Sequence, residues 1–283
     1  MAYPIVDAPY GLKPVNLVGG QVFSGSTRSY PIQYGYATDI GYGDLVGLSR
    51  GTVGRLAVTS AGASGLVGVF LGCSYTNPIT KQKMFAQYWP AGTLAGDAVA
   101  VVTDDPDTVF KAAVCSATTV IGSANTALIG QNIQMINNSV NLNTGNSTNA
   151  VAAVAGAGAP ATTGTFPLRV MDVVRETSSS VAATGSSSTT TITLTGSGLP
   201  SAILAGADVS YVAANGQLVQ TGSFVQANTA AGATTVNINL AVAVPGGITA
   251  IPSGSTIVFT QYSELLVKIN FAQHQYYIGA AVA

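Results

Sequence analysis

Charge is the scarcest property of this sequence. Charged residues make up 7% of its 283 residues and the net charge is −1, whereas an average soluble protein has about 25% charged residues. A freely diffusing monomer normally uses charged surface to stay in solution. No apolar run of about 20 residues is present that would span a bilayer, so we expect no membrane partner. We expect instead that other proteins cover much of the surface.

A net charge this close to zero also gives no electrostatic basis for binding nucleic acid, and we predict no nucleic-acid partner. The N-terminal residues 1–7 contain no Lys or Arg, and Pro4 and Asp7 interrupt any apolar stretch. They do not predict a secretory signal peptide. The two cysteines, Cys73 and Cys115, are typical of buried thiols and not of a disulfide framework. We therefore expect synthesis in a reducing compartment.

Residues that carry chemistry are equally scarce. The single histidine, His274, has no carboxylate or cysteine at ligand spacing, and we interpret it as a surface or interface residue. The sequence contains no G-x-S-x-G, no G-x-x-x-x-G-K-[ST] and no C-x-x-C motif. The sequence shows no general base, no residue that would orient such a base and no sign of a substrate pocket. We therefore predict that the protein is not an enzyme and that it needs no cofactor.

One acidic cluster, Asp104-Asp105-Pro106-Asp107, has two interpretations. Three carboxylates could hold a hard cation such as Ca²⁺, which takes several oxygen ligands. Asp is also favoured in turns, and neither a Gly nor a distal Glu completes a calcium-loop motif. We predict a turn and no metal site.

What the sequence has in abundance is glycine, with 33 residues, together with short alternating segments that predict an all-β fold. The clearest signals lie in residues 65–110, where apolar runs at 66–75 and 84–89 flank the turn dipeptide Asn77-Pro78 and predict a hairpin. A third strand is predicted at 98–103. No sustained 3.6-residue repeat occurs, so helix should be scarce. We predict a main domain that resembles a β-sandwich or barrel.

Two good strand candidates, residues 166–176 and 264–271, enclose a segment of different composition. Residues 177–260 contain one charged residue, Asp208, and are rich in Ser, Thr, Gly, Ala and Val. Asn215-Gly216, the best hairpin dipeptide in the chain, lies among their alternating segments. We interpret residues 177–260 as a small β domain inserted at the tip of a hairpin, where insertions are best tolerated. The main domain then comprises residues 28–176 and 261–283.

Residues 1–27 form a third unit, with prolines at positions 4, 9 and 14 that favour extended backbone. Such an arm could fold over its own core or lie across a neighbouring molecule. Because its apolar groups have little charge beside them, we predict that it lies against another polypeptide and not only its own domain. The candidate interface residues are Pro4, Ile5, Val6, Tyr10, Leu12, Val15, Leu17, Val22 and Phe23.

Five stretches of the sequence carry a family resemblance: DAPYGLKPVNLVGGQVFSGSTRSYPI near the start, VGVFLGCSYTN, AQYWPAGT and VVTDDPDTVFK in the centre, and LLVKINFAQHQYYIGAAVA at the end. In these stretches the sequence resembles the capsid decoration (cement) proteins of tailed bacteriophages. The resemblance covers most of residues 1–176 and 261–283, and residues 177–260 have no counterpart in it. It implies a structural virion protein on the outer surface of the head, made in the host cytoplasm, that bridges major capsid protein subunits and forms trimers.

Two other classes share this composition: a tail-fibre or other host-attachment subunit, and an extracellular surface-layer protein. A glycan-binding module is a further alternative, although the single Trp offers no aromatic platform. Residues 177–260 are the segment that would contact a host surface. Independently of the resemblance, the low charge predicts a homo-oligomer with contacts depleted in charge.

Overall fold

Three β-sheets account for nearly all the regular structure of the computed structural model, which describes residues 6–57, 65–153, 160–188, 190–239 and 250–277. Strands make up 48% of the chain and helices 2%, which confirms the all-β prediction. The helices of the described residues are two single 3-10 turns, Thr126–Leu128 and Phe271–Gln273. Neither has the length or the hydropathy needed to cross a membrane.

The described residues form twenty strands, most of them short. In chain order they are β1 (Lys13–Leu17), β2 (Arg28–Pro31), β3 (Leu45–Ser49), β4 (Thr52–Arg55), β5 (Leu66–Thr76), β6 (Lys83–Ala86), β7 (Val99–Thr103), β8 (Thr108–Ala117), β9 (Val120–Ile121), β10 (Asn132–Ile133), β11 (Met135–Ile136), β12 (Ala150–Ala152), β13 (Leu168–Val173), β14 (Ser179–Ser187), β15 (Thr191–Leu194), β16 (Asp208–Val212), β17 (Leu218–Phe224), β18 (Thr235–Asn237), β19 (Ser255–Gln261) and β20 (Glu264–Ile269).

The first sheet has the order β10-β13-β20-β8-β12-β11, and β1 and β9 also pair with β8. The long strand β8 is its centre: its first half pairs with β20 and β1, and its second half pairs with β12 and β9. Apolar side chains such as Phe110, Leu168 and Val267 project from one face of this sheet and are fully buried.

The second sheet has the order β2-β7-β5-β3-β4, with β6 on the outer part of β5. The predicted hairpin is confirmed, because Tyr75 pairs with Met84 and Thr76 with Lys83. Trp89 is fully buried here, with its ring centroid 5.3 Å from that of Tyr75 in an edge-on contact. Leu66 and other side chains of this sheet join the core of the first sheet, so the two sheets pack face to face like a sandwich.

The third sheet lies entirely within residues 179–261 and has the order β17-β16-β19-β14-β15-β18. A bridge between Val225 and Ile238 brings its two outer strands together, so the sheet is nearly closed and barrel-like. It encloses its own apolar core, which includes Ile257 and Phe259. The turn at Asn215-Gly216 lies between β16 and β17 as predicted, with Gly216 at φ 80°. We call this part of the molecule the barrel-like unit.

The strands that flank the barrel-like unit pair as predicted. β13 and β20 are antiparallel neighbours from Leu168 opposite Ile269 to Val173 opposite Leu265. The ladder resumes in β14 and β19 with Ser179 opposite Gln261. Residues 174–178 and 262–264 form the neck between the two ladders, where the Val174 N–H donates to the Glu264 carbonyl over 3.1 Å.

We predict that replacing residues 177–260 with a short Asn-Gly linker leaves the two packed sheets folded, because β13 and β20 already pair up to the neck. Trp89, the only Trp of the chain, is buried in the second sheet, so its fluorescence reports on that part of the molecule. Thermal unfolding followed by Trp fluorescence should retain a cooperative transition. Loss of that transition, with the intact chain as control, would mean that residues 177–260 are needed for the main fold.

Candidate interaction surfaces and the buried carboxylates behind them

Nearly half of the few charged side chains of this chain pair with one another. Five ion pairs use five of the ten cationic side chains and five of the eleven acidic ones. Four carboxylates are buried, and each of them connects a peripheral segment to the packed sheets. A group removed from water in this way must be paired or hydrogen-bonded to be tolerated. The four carboxylates therefore show which contacts the fold requires.

Asp44 is the most highly coordinated of the four. It accepts hydrogen bonds from Ser147 Oγ (2.6 Å), Asn149 Nδ2 (2.7 Å) and the Gly41 N–H (2.8 Å), and its Oδ2 lies 2.9 Å from Arg55 Nε. Burial raises the pKa of Asp44, and the Arg55 charge and the hydrogen bonds oppose that rise. The network ties the loop before β12 to the second sheet.

Glu264 holds the N-terminal arm. The Tyr10 hydroxyl donates to its Oε1, and Lys111 Nζ lies 3.4 Å from the same oxygen. The ammonium of Lys13 lies 4.7 Å from the centre of the Tyr10 ring. Burial and the adjoining Glu264 carboxylate both raise the pKa of Tyr10, so its hydroxyl stays protonated and remains a donor.

Asp104 holds the C-terminal segment against the second sheet. Its Oδ2 accepts hydrogen bonds from Tyr30 (2.9 Å) and from the Tyr276 hydroxyl, and it lies 3.1 Å from Arg28 Nε. The Arg28 guanidinium also lies 5.5 Å from the centre of the Tyr276 ring. These contacts bring residues from β2, the end of β7 and the C-terminal segment together.

Asp208, the one charged residue of segment 177–260, faces inward. Its Oδ2 accepts hydrogen bonds from the N–H (3.1 Å) and the hydroxyl (2.7 Å) of Thr126, at the first residue of a 3-10 turn in the main domain. Burial raises the pKa of Asp208, and the two hydrogen bonds from Thr126 oppose the rise. The contact fixes one end of the barrel-like unit.

His274 is fully buried, which corrects its interpretation as a surface or interface residue. Its backbone bridges to Leu66 of β5, and its Nδ1 accepts the Tyr276 N–H over 3.2 Å. Burial lowers the pKa of the imidazole, while the backbone and carboxylate of Asp104 oppose the decrease. The ring is part of the packing that seats the C-terminal segment on the second sheet.

The acidic stretch after β7 is a turn, as predicted: the Thr108 N–H donates to the Asp105 carbonyl over 3.1 Å. Its three carboxylates face different partners. Asp104 contacts Arg28 and the tyrosines, Asp107 lies 3.3 Å from Lys268 Nζ, and Asp105 accepts the Asp107 N–H. Within the described ranges no cluster of three or more metal-ligating side chains occurs. Cys73 and Cys115 are buried free thiols, in line with the prediction.

The predicted interface residues of the arm fall into different environments. Leu12 is 1% exposed and belongs to the core of the main sheets, so it is not available to a partner and its predicted role is corrected. Val15 and Val22 are exposed. Val6, Tyr10, Leu17 and Phe23 are half-buried, and Pro4 and Ile5 lie outside the described residues. β1 pairs with β8 of the same chain, so this part of the arm lies on its own sheet.

A second exposed apolar surface was not predicted from the sequence. Ile79 and Phe85 on the β5–β6 hairpin are 88% and 84% exposed, and Met84 is partly exposed beside them. In the described part of the chain, this hairpin makes one ion pair, which joins Lys83 to Asp97 of the same molecule. The signal in the sequence was an Ile within the loop and a Phe on the outer strand, each two positions from a lysine.

The fold and these contacts define an all-β protein with exposed apolar surfaces and few free charges. Comparison of the chain with protein-family models, with curated proteins and with solved structures finds no match.

We predict that Asp44→Ala lowers the free energy of unfolding by about 3–5 kcal/mol, because it leaves Arg55 and three hydrogen-bond donors without their buried acceptor. Lys83→Ala breaks an exposed ion pair and serves as the control, with an expected loss below about 1 kcal/mol. Urea unfolding of the full chain measures both. If the two variants lose the same free energy of unfolding, the Asp44 network does not stabilise the fold as proposed.

We predict that His274 makes the fold less stable as the pH falls below about 6.5. The folded-state pKa of His274 is lowered, so the unfolded chain binds the proton first, and each pH unit in that window costs at most about 1.4 kcal/mol. The variant His274→Leu isolates this contribution. The raised pKa values of Asp44 and Asp208 make the fold more stable as the pH falls, but they do so equally in the unaltered protein and in the variant. Unfolding at about pH 7.5 and about pH 5.5 should show a smaller pH effect in the variant.

Proposed function

We propose that this chain is a structural protein of a tailed-bacteriophage particle, located on the outer surface of the capsid, where it bridges neighbouring subunits of the major capsid protein. In this role it catalyses no reaction. The observation that carries the proposal is the combination of exposed Ile79, Phe85 and Val22 with a surface that has few free charges. The resemblance of the sequence to cement proteins points to the same role.

The charge distribution supports this function physically. A cement protein must bind a large, repetitive surface without depending on a particular ion pair, and apolar contact achieves this in proportion to the area removed from water. The exposed apolar groups lie on a hairpin of a packed sheet and on the short turn after β1, both of which the fold holds in place. Such preorganised surfaces lose little conformational entropy on binding.

A second candidate function is host attachment through residues 177–260. The observation in its favour is that these residues enclose an apolar core of their own and are anchored at one end by Asp208. A unit built in this way can display its far surface without disturbing the main sheets. A glycan array probed with the intact protein, compared with the linker variant that lacks the barrel-like unit, separates this function from cementing.

We predict that Ile79→Ser with Phe85→Ser weakens binding to capsids by at least about tenfold, because each apolar side chain buried on binding contributes about 1.5–3 kcal/mol. Leu218→Ser, an exposed Leu on β17 of the barrel-like unit, is the matched control and should bind normally. Binding is measured by cosedimentation with capsids that lack the protein, and electron microscopy should show ordered copies on the shell. Undiminished binding of the double variant would exclude the hairpin as the contact surface.

A further inference from the structure

A groove on the outer face of the first sheet combines apolar walls with a cationic floor. It has a volume of about 340 Å³ and is lined by residues of β13 and β20, by Ile129 and Gly130, and by Phe271. Ile129 and Phe271 are both exposed. The Phe271 ring stacks on Tyr277 with 3.6 Å between the ring centres, so the aromatic wall is held in place from behind.

One of the two cations in this groove has no counter-charge among the described residues. Arg169 and Lys268 lie directly opposite each other on β13 and β20, an arrangement of like charges that destabilises a sheet. Lys268 is compensated by Asp107 at 3.3 Å. Arg169 is exposed and has no ion pair among the described residues. Asp172, the nearest acid along β13, accepts the N–H of Val173. The groove therefore fits a carboxylate with apolar neighbours.

One exposed acidic residue of this chain, Asp7, combines a carboxylate with apolar neighbours. Asp7 is exposed, takes part in no hydrogen bond or ion pair of the described residues, and lies between Val6 and Ala8 in an extended, proline-containing segment. The other free acids differ. Asp39 accepts the Ala91 N–H, Asp105 accepts the Asp107 N–H, and Glu176 follows the cation Arg175.

The described part of the arm, residues 6–27, does not line the groove of its own molecule. Tyr10 is bound to Glu264 at the first residue of β20, whereas the groove lies at the other end of that strand, around Lys268 and Phe271. No residue of the arm lines the groove among the residues that the structure describes. Asp7, three residues before Tyr10, is thus exposed and without a partner among the described residues.

From this complementarity we propose that the groove beside Arg169 binds the arm of a second copy of this chain, with Asp7 paired to Arg169 and Val6 and Ala8 against the Ile129 and Phe271 walls. The arm and the groove are different surfaces, so the contact is heterologous and forms a ring when the rotation closes. This geometry is consistent with a trimer. The contact concerns the protein alone and does not rest on the proposed cement function.

Charge reversal tests the proposal on the full-length protein in the absence of capsids. Arg169→Glu and Asp7→Arg should each weaken self-association by at least about tenfold, because like charges then face each other. The combined variant Arg169→Glu/Asp7→Arg restores opposite charges and should recover most of the association. Sedimentation velocity over a concentration series gives the oligomeric state of each protein, and thermal unfolding checks that each is folded.

Arg50→Glu is the matched control, since Arg50 is an exposed arginine in a turn with no ion pair in the described part of the chain. It should associate like the unaltered protein. A monomeric unaltered protein, failure of the combined variant to recover, or an equal effect of Arg50→Glu would each overturn the proposal. So would an Asp7→Arg variant that self-associates normally and has lost only capsid binding, since the arm would then contact the shell protein.

Discussion

The burial of four carboxylates is the constraint on which the rest of this structure depends. Each one adds a side-chain attachment to a segment at the periphery of the sheets: the loop before β12, the N-terminal arm, the C-terminal segment and the barrel-like unit. A buried carboxylate without its donors costs several kcal/mol, so each contact is specific as well as stabilising. In a chain with 21 charged side chains, this burial removes four carboxylates from the exterior.

The neck follows the same principle. Two ladders, β13 with β20 and β14 with β19, have compatible directions, but residues 174–178 and 262–264 between them differ in length. A short two-stranded connection has few contacts of its own and would permit bending. The hydrogen bonds from Thr126 to Asp208 supply a second point of attachment at the end of the unit. With the neck alone, the barrel-like unit could bend about it as a hinge. The neck and the Asp208 contact together fix the orientation of the unit.

The sequence was sufficient for the strands whose apolar side chains alternate, and for the pairing of β13 with β20. It did not predict β14, whose residues are mostly Ser, Ala and Thr. The structure explains why: a Cβ on Gly185 would lie 2.5 Å from the Thr193 carbonyl oxygen, so the neighbouring strand passes too close for a larger residue there. Only Val181 and Gly185 of the nine residues of β14 are buried, so few apolar side chains mark this strand in the sequence. The burial of His274 and Leu12 depends on contacts with distant strands that no local pattern encodes.

The contacts that attach the barrel-like unit and the N-terminal arm could not be predicted from the sequence for the same reason. Thr126 and Asp208 are 82 positions apart, and Tyr10 and Glu264 are 254 apart, so no spacing rule connects them. Composition nevertheless gave a usable indication, because a lone charge in an otherwise uncharged segment must either face solvent or have dedicated partners. Asp208 is buried and has such partners inside the fold. Arg169 is exposed, so solvent meets the same requirement, and the case for an external partner rests on the groove beside it.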